Sequence, residues 1–138
     1  MFETIQGAAG GNINPSRFVK PSTAADHTFL EADANEMVIG VSTEAQRDAP
    51  VSGSSALAAE AGDPISVHPI GSVAPILVGS GGVTRGALVK SDADGKSVLA
   101  LTTGTVLQWV GGIALESAAD GEIARHLIVS FPYRPAIV

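Results

Sequence analysis

The chain repeats itself. Arg17-Phe18-Val19-Lys20 recurs as Ala87-Leu88-Val89-Lys90, seventy positions later. A polar, turn-like stretch follows each copy, Thr23-Ala24-Ala25-Asp26-His27 in the first and Asp92-Ala93-Asp94-Gly95-Lys96 in the second. Each then carries a short apolar segment, Phe29-Leu30-Glu31-Ala32 against Val98-Leu99-Ala100-Leu101. A longer one comes next, Met37 to Glu44 against Trp109 to Glu116, with the offset grown to 72 by a small indel. Gly62-Asp63-Pro64-Ile65-Ser66-Val67 is the counterpart of Gly121 to Leu127. The same features in the same order argue for two related halves that pack together, neither able to bury its apolar face alone.

Within each half the apolar runs are short and bounded by Asp, Asn, Gly and Pro, which is the pattern of strands and turns. In Ile123 to Phe131 the odd positions are apolar except Arg125, the alternation of a half-buried strand. Val106 to Leu115 is more continuously apolar and reads as buried on both faces. Gly111-Gly112 within it points to a bulge or a close backbone approach. Asp94-Gly95 predicts a tight hairpin, because glycine accepts positive φ. Pro75, Pro132 and Pro135 belong at sheet edges or in extended arms.

The reading is therefore an all-β domain, a small β-sandwich or barrel built from two related halves. The domain spans residues 13–131, with repeats at 13–70 and 83–131 and a connector at 71–82 that includes Gly79-Ser80-Gly81-Gly82. Residues 1–12, with Gly7-Ala8-Ala9-Gly10-Gly11, read as a flexible N-terminal arm, and residues 132–138 as an extended C-terminal tail. One short helix is predicted over Ser54 to Glu60, with serine as its cap, inside an insertion that the second half lacks.

Composition removes several function classes. Hydrophobic residues make up 45% of the 138, enough for a core rather than disorder. Only 16% are charged, so a partner-covered surface is expected. The net charge is −6 and the eight Lys and Arg are scattered, which argues against a nucleic-acid or anionic-membrane partner. With no cysteine there is neither a disulfide nor a thiolate metal site. Met1-Phe2-Glu3-Thr4 shows no basic region before an apolar block, and no apolar run approaches a membrane span, so a cytoplasmic site of synthesis is expected.

Chemistry-bearing motifs are few. His27, His68 and His126 lack ligand spacing, and a structural or solvent-facing role is the simpler reading. Asp92-Ala93-Asp94-Gly95 begins like a calcium loop but has no closing glutamate, so a hairpin turn is expected. The glycine-rich stretch at 79–82 has no Lys-Ser/Thr after it to open a helix on phosphate. Glu44 and Glu116 occupy matching repeat positions; equivalent surface sites explain them more simply than an acid–base pair. Trp109 reads as core. No catalytic residue, metal or cofactor is expected, and the chain reads as a non-enzyme.

The run Asn12-Ile13-Asn14-Pro15-Ser16-Arg17-Phe18-Val19-Lys20, followed by Asn35 to Ser42, resembles the opening of small head decoration (capsid cement) proteins of tailed bacteriophages. The second half is similar too, through Gly86 to Lys90, Asp94-Gly95-Lys96, and Gly112 to Ala118 before Gly121-Glu122. The resemblance implies a β-tulip-like fold, a homotrimer, and the major capsid protein as partner. It implies binding to the outer surface of the mature capsid after synthesis in the host cytoplasm, clamping neighbouring capsid subunits against internal DNA pressure. The Ala-rich insertion at about 46–61 departs from that pattern. Contacts to the capsid or between subunits are expected in residues 1–20 and 131–138, at Phe2, Ile5, Phe18, Tyr133 and Arg134, where apolar anchors sit in segments with little to bury. The rival reading is a carbohydrate-binding or adhesion module of a phage tail or fibre, which would need exposed aromatics on a sheet face.

Overall fold

The structure, a computed structural model, describes residues 4–44 and 56–135. These residues are all-β, with ten strands in two groups of five. The first group is β1 (Ile5–Ala9), β2 (Phe18–Pro21), β3 (Thr28–Glu31), β4 (Gly40–Ser42) and β5 (Pro64–Pro69). The second is β6 (Val73–Leu77), β7 (Leu88–Ser91), β8 (Ser97–Leu99), β9 (Gln108–Ala114) and β10 (Ile123–Tyr133).

The first five strands close into a barrel in the order β1-β3-β2-β4-β5. Closure is made by β1, antiparallel to β5 (Ile5 opposite Val67) and parallel to β3 (Ala8 opposite Thr28). The expected arm at residues 1–12 is thus corrected over Ile5–Ala9. The small residues that suggested little burial are what let this strand in. A Cβ on Gly7 would fall 2.7 Å from the His27 carbonyl oxygen, so only glycine permits that approach.

The second five form a sheet in the order β6-β10-β9-β7-β8. Matching β1 with β6, β2 with β7 and so on, the two orders are the same. Even the parallel closure survives as a single bridge from Val78 to Ser97. The backbone hydrogen bonds match as well. The Ala9 N–H donates to the Asp63 carbonyl at 2.8 Å and the Gly62 N–H to the Ala9 carbonyl at 2.7 Å; Val78–Glu122 and Gly121–Val78 repeat this at 2.8 and 2.9 Å. Ile13 and Val83 make the same 2.9 Å bond, to Ala59 and Ala118 respectively. Left-handed residues recur in register too: Ser16 with Gly86, His27 with Gly95, Gly62 with Gly121.

Val73–Leu77, expected within a connector, is the edge strand β6, and Pro75 fits there because the outer edge needs no N–H. The C-terminal tail is corrected as well. β10 bulges between Ile128 and Phe131, then continues with Pro132 opposite Trp109 and Tyr133 opposite Gln108. Of the predicted helix, Ser54 and Ser55 lie outside the described residues. The described part, Ala56 to Glu60, is not helical, and Ala59 bridges Ile13 instead.

Two apolar clusters hold this together. Ala9, Ile13, Val19, Phe29, Ala59, Ile65 and Val67 fill the first barrel. The other cluster unites Phe18, Ala32, Val38 and Val41 of the first half with Ile76, Val78, Val89, Ala124 and Ile128 of the second. The halves therefore share one core. Gly111 lies at that seam, where an added Cβ would sit 2.8 Å from Phe18 Cε1 and 3.0 Å from Val38 Cγ2. The doubled glycine thus marks a close approach, and the bulge falls on the partner strand β10.

Candidate interaction surface

Among the described residues no three His, Asp or Glu side chains gather to hold a metal ion. The titratable groups have structural partners instead. His126 is fully buried, with Nδ1 2.8 Å from the Ala124 carbonyl and Nε2 2.9 Å from Ser97 Oγ. A carbonyl only accepts, so Nδ1 carries the proton and Nε2 accepts from the serine. Burial pushes the pKa of His126 down, which keeps the imidazole neutral. The alternation around it is inverted in size: Ala124, His126 and Ile128 face in, while Ile123, Arg125 and Leu127 face out.

Glu44 and Glu116 are each tied to the last strand of their own half. Glu44 accepts from its own N–H and lies 3.3 Å from His68 Nε2; Glu116 accepts from the Arg125 N–H at 3.2 Å and meets its guanidinium at 3.2 Å. These bonds hold both carboxyls below their ordinary range. Glu116 and Arg125 form an ion pair, and Glu44 and His68 make the matching side-chain contact in the first half. Asp92 closes the β7–β8 turn, Oδ1 accepting from the N–H groups of Asp94 (2.8 Å) and Lys96 (2.9 Å). Gly95 carries φ of 75° there, as a hairpin requires.

What stands out is apolar surface on the second half. The pairings Val73–Leu127, Leu127–Ile113 and Ile113–Leu88 run a row of large aliphatics across four strands on the outer face. Val73, Leu115 and Ile123 on this sheet are at least half exposed. At the β8 end the face sinks into a cleft of ≈200 Å³ lined by Leu88, Leu99, Ala100, Leu101 and Tyr133, among others. Leu99 and Leu101 are 41% and 48% exposed, and Val106 and Leu107 continue the patch along the following loop. Thus the run from Val106 to Leu115 is buried only in its middle. Contiguous apolar surface of this kind marks an interaction site more often than solvent-facing scaffold.

The expected contact residues fall differently. Ile5 is 40% exposed on β1. Tyr133 is half-buried as a wall of the cleft, and Arg134 is exposed beyond it. Phe18 is corrected: at 0% exposure it belongs to the shared core, because the second half covers its face of β2. Phe2 lies outside the described residues. Trp109, expected in the core, is half-buried opposite Pro132. Leu99, Leu101, Ile113 and Leu127 were missed as surface residues. The large-out, small-in alternation of β10 was the available sign, since a five-stranded barrel has little room inside for large side chains.

No protein-family model matches the chain, and no curated protein sequence matches it. Its fold is similar to a solved structure, the head fiber gp8.5 N base of bacteriophage phi29. The TM-score is 0.65 with 19% identity, over 94% of this chain and 95% of that one. The two share their architecture nearly end to end.

Proposed function

We propose that this chain is a structural, non-enzymatic virion protein of a tailed bacteriophage, seated on the outer surface of the head. The observation that carries the reading is the end-to-end fold match to a phage head fiber base, which leaves little of either chain outside the shared architecture. An apolar outward face and a low charge density support it. In this reading the protein binds across neighbouring major capsid subunits as a homotrimer and stabilises the shell by mass action, adding RT ln(1 + [L]/Kd) for each site filled. Ile5, Tyr133 and Arg134 remain the contact candidates. Three linked copies would turn weak single contacts into avid attachment.

Co-sedimentation with purified heads of the source phage, before and after expansion, tests this. Saturable binding to expanded heads with a raised head melting temperature is the expected result. Absence of binding to both forms would overturn it.

A further inference from the structure

Resting on the head-bound reading above, we propose that the second half of the chain is the side seated on the shell. Its β8 corner then receives an uncharged, extended segment of the major capsid protein. The repeat supplies the comparison, because the two halves share one fold and differ in what they expose. By strand register, Phe18, Val41 and His68 of the first half match Leu88, Ile113 and Leu127 of the second. Phe18 and Val41 are fully buried in the core that the halves share. Leu88, Ile113 and Leu127 are partly exposed, and aliphatic Leu127 stands where the first half has histidine. The surrounding positions change in the same direction. Arg17, Glu31, Asp33 and Thr43 correspond to Ala87, Leu99, Leu101 and Leu115. Residues 1–70 carry nine acidic and three basic side chains and residues 71–138 five of each, so the net charge of −6 belongs to the first half alone. Charge is depleted from the centre of a protein interface and kept where a surface stays in water. One fold, copied with charges on one half and aliphatics on the other, has a wet side and a dry side.

The backbone at β8 selects an extended partner. The Ala100 N–H donates to the Leu88 carbonyl at 2.9 Å, so the even positions of β8 bond β7 and the odd ones face the outer edge. Two odd positions are already filled. Ser97 accepts from the Gly79 N–H at 2.8 Å, and the Gln108 side chain accepts from the Leu101 N–H at 3.0 Å and donates to its carbonyl at 2.8 Å. Leu99, between them, presents its N–H and carbonyl to the edge beside the cleft. In the first half the matching corner is closed by Glu31, whose carboxylate accepts from the Asn14 backbone N–H and side chain. Leu99 offers no such group, and Thr84, the counterpart of Asn14, lines the cleft instead. An added strand meets Leu99 with one donor and one acceptor, while an aliphatic side chain fills the space between Leu88, Leu99, Leu101 and Tyr133. None of the cleft's lining residues is charged, so a charged segment would lose its water there without gaining a partner.

The chain has no cysteine, so single ones can report which side is covered. Leu115→Cys on the second half and Met37→Cys on the first lie at positions of similar exposure, 50% and 42%. Each variant, free and bound to purified expanded heads of the source phage, is treated with a maleimide, and labelling is read on the separated 13.9 kDa chain. Binding should slow the labelling of Leu115→Cys at least ~tenfold and leave Met37→Cys at its free rate. Leu101→Glu, on the exposed rim of the cleft, should weaken head binding at least ~tenfold and Met37→Glu should not, both keeping the wild-type far-ultraviolet spectrum and melting temperature. Leu99→Pro, which removes the outward N–H, should bind more weakly than Leu99→Ala, which keeps it. Protection of Met37→Cys in place of Leu115→Cys, or normal binding by Leu101→Glu, would overturn the seating and leave the chain a head-binding protein. Equal binding by the two Leu99 variants would overturn the added strand. A wild type that binds no heads would overturn the proposed function itself, and the seating with it.

Discussion

Replacing Phe18 with alanine tests whether the two halves are one cooperative unit. The ring is fully buried in a cluster that draws residues from both halves. Losing a buried aromatic forfeits the transfer free energy of the ring, about 1.5–3 kcal/mol, and leaves a cavity that the rigid strands cannot collapse. Together these cost about 3–5 kcal/mol. Unfolding entropy near 2.1 cal/mol/K per residue gives about 290 cal/mol/K for 138 residues, so a loss of ~4 kcal/mol lowers Tm by roughly 14 °C. Phe18→Leu refills most of the space and should cost about 1–1.5 kcal/mol. Urea titrations followed by Trp109 fluorescence and by far-ultraviolet circular dichroism should both show single, coincident transitions. The midpoint of Phe18→Ala should fall with no change in slope. A loss under ~1 kcal/mol, or a wild type that unfolds in two steps, would refute the shared core.

Three further outcomes follow from local geometry. Gly111→Ala drives a methyl against the Phe18 ring and Val38 and should cost about 1–3 kcal/mol by thermal denaturation, with most of the loss recovered when Phe18→Leu is added. Stability should fall as pH drops below the ordinary histidine range of about 6.5, because the unfolded chain takes up a proton that buried His126 refuses. The loss levels off once the folded pKa is passed, and it should vanish in His126→Gln, measured as the urea midpoint against pH. Asp92→Ala removes the acceptor for two turn N–H groups and should lower stability by about 1–2 kcal/mol, whereas Asp92→Asn, which keeps a carbonyl, should retain most of it.

Much of the architecture was legible because the repeat supplied its own internal check. The segments around Phe18, Phe29, Leu88 and Val98 are strands in matching positions, and Asp94-Gly95 turns where glycine chemistry requires. The first strand of each half was not legible. Ile5-Gln6-Gly7-Ala8-Ala9 offers small residues in place of bulk, and Val73 to Leu77 contains a proline, so neither shows the usual strand pattern. Both are specified by what they pack against. The phase of β10 was hidden for a different reason. Alternation fixes a period of two but not which set points inward, and here both sets are partly apolar. The inner set is the smaller one, Ala124, His126 and Ile128. His126 gains a place there only because Ser97, distant in sequence, supplies a donor.

The edges of the second sheet differ in a way that bears on its partner. Strand edges invite uncontrolled pairing, and proteins blunt them with prolines, charges or cover. β6 carries Pro75 at its middle, and its outer edge is disarmed. β8 is Ser97-Val98-Leu99, with neither proline nor charge. Its start is protected by the parallel bridge from Val78 and by Gly79, whose N–H donates to the Ser97 carbonyl at 2.8 Å, and the cleft begins at Leu99. The corresponding strand in the first half, β3, is longer, pairs with β1 at two positions, and ends on Glu31, which accepts from the Asn14 backbone N–H and side chain at 2.8 and 3.0 Å. A shortened strand, the loss of the charged residue and an outward row of leucines coincide at one corner of the molecule. Each alone would be an aggregation liability. Together they make this corner the stretch of apolar surface most in need of cover.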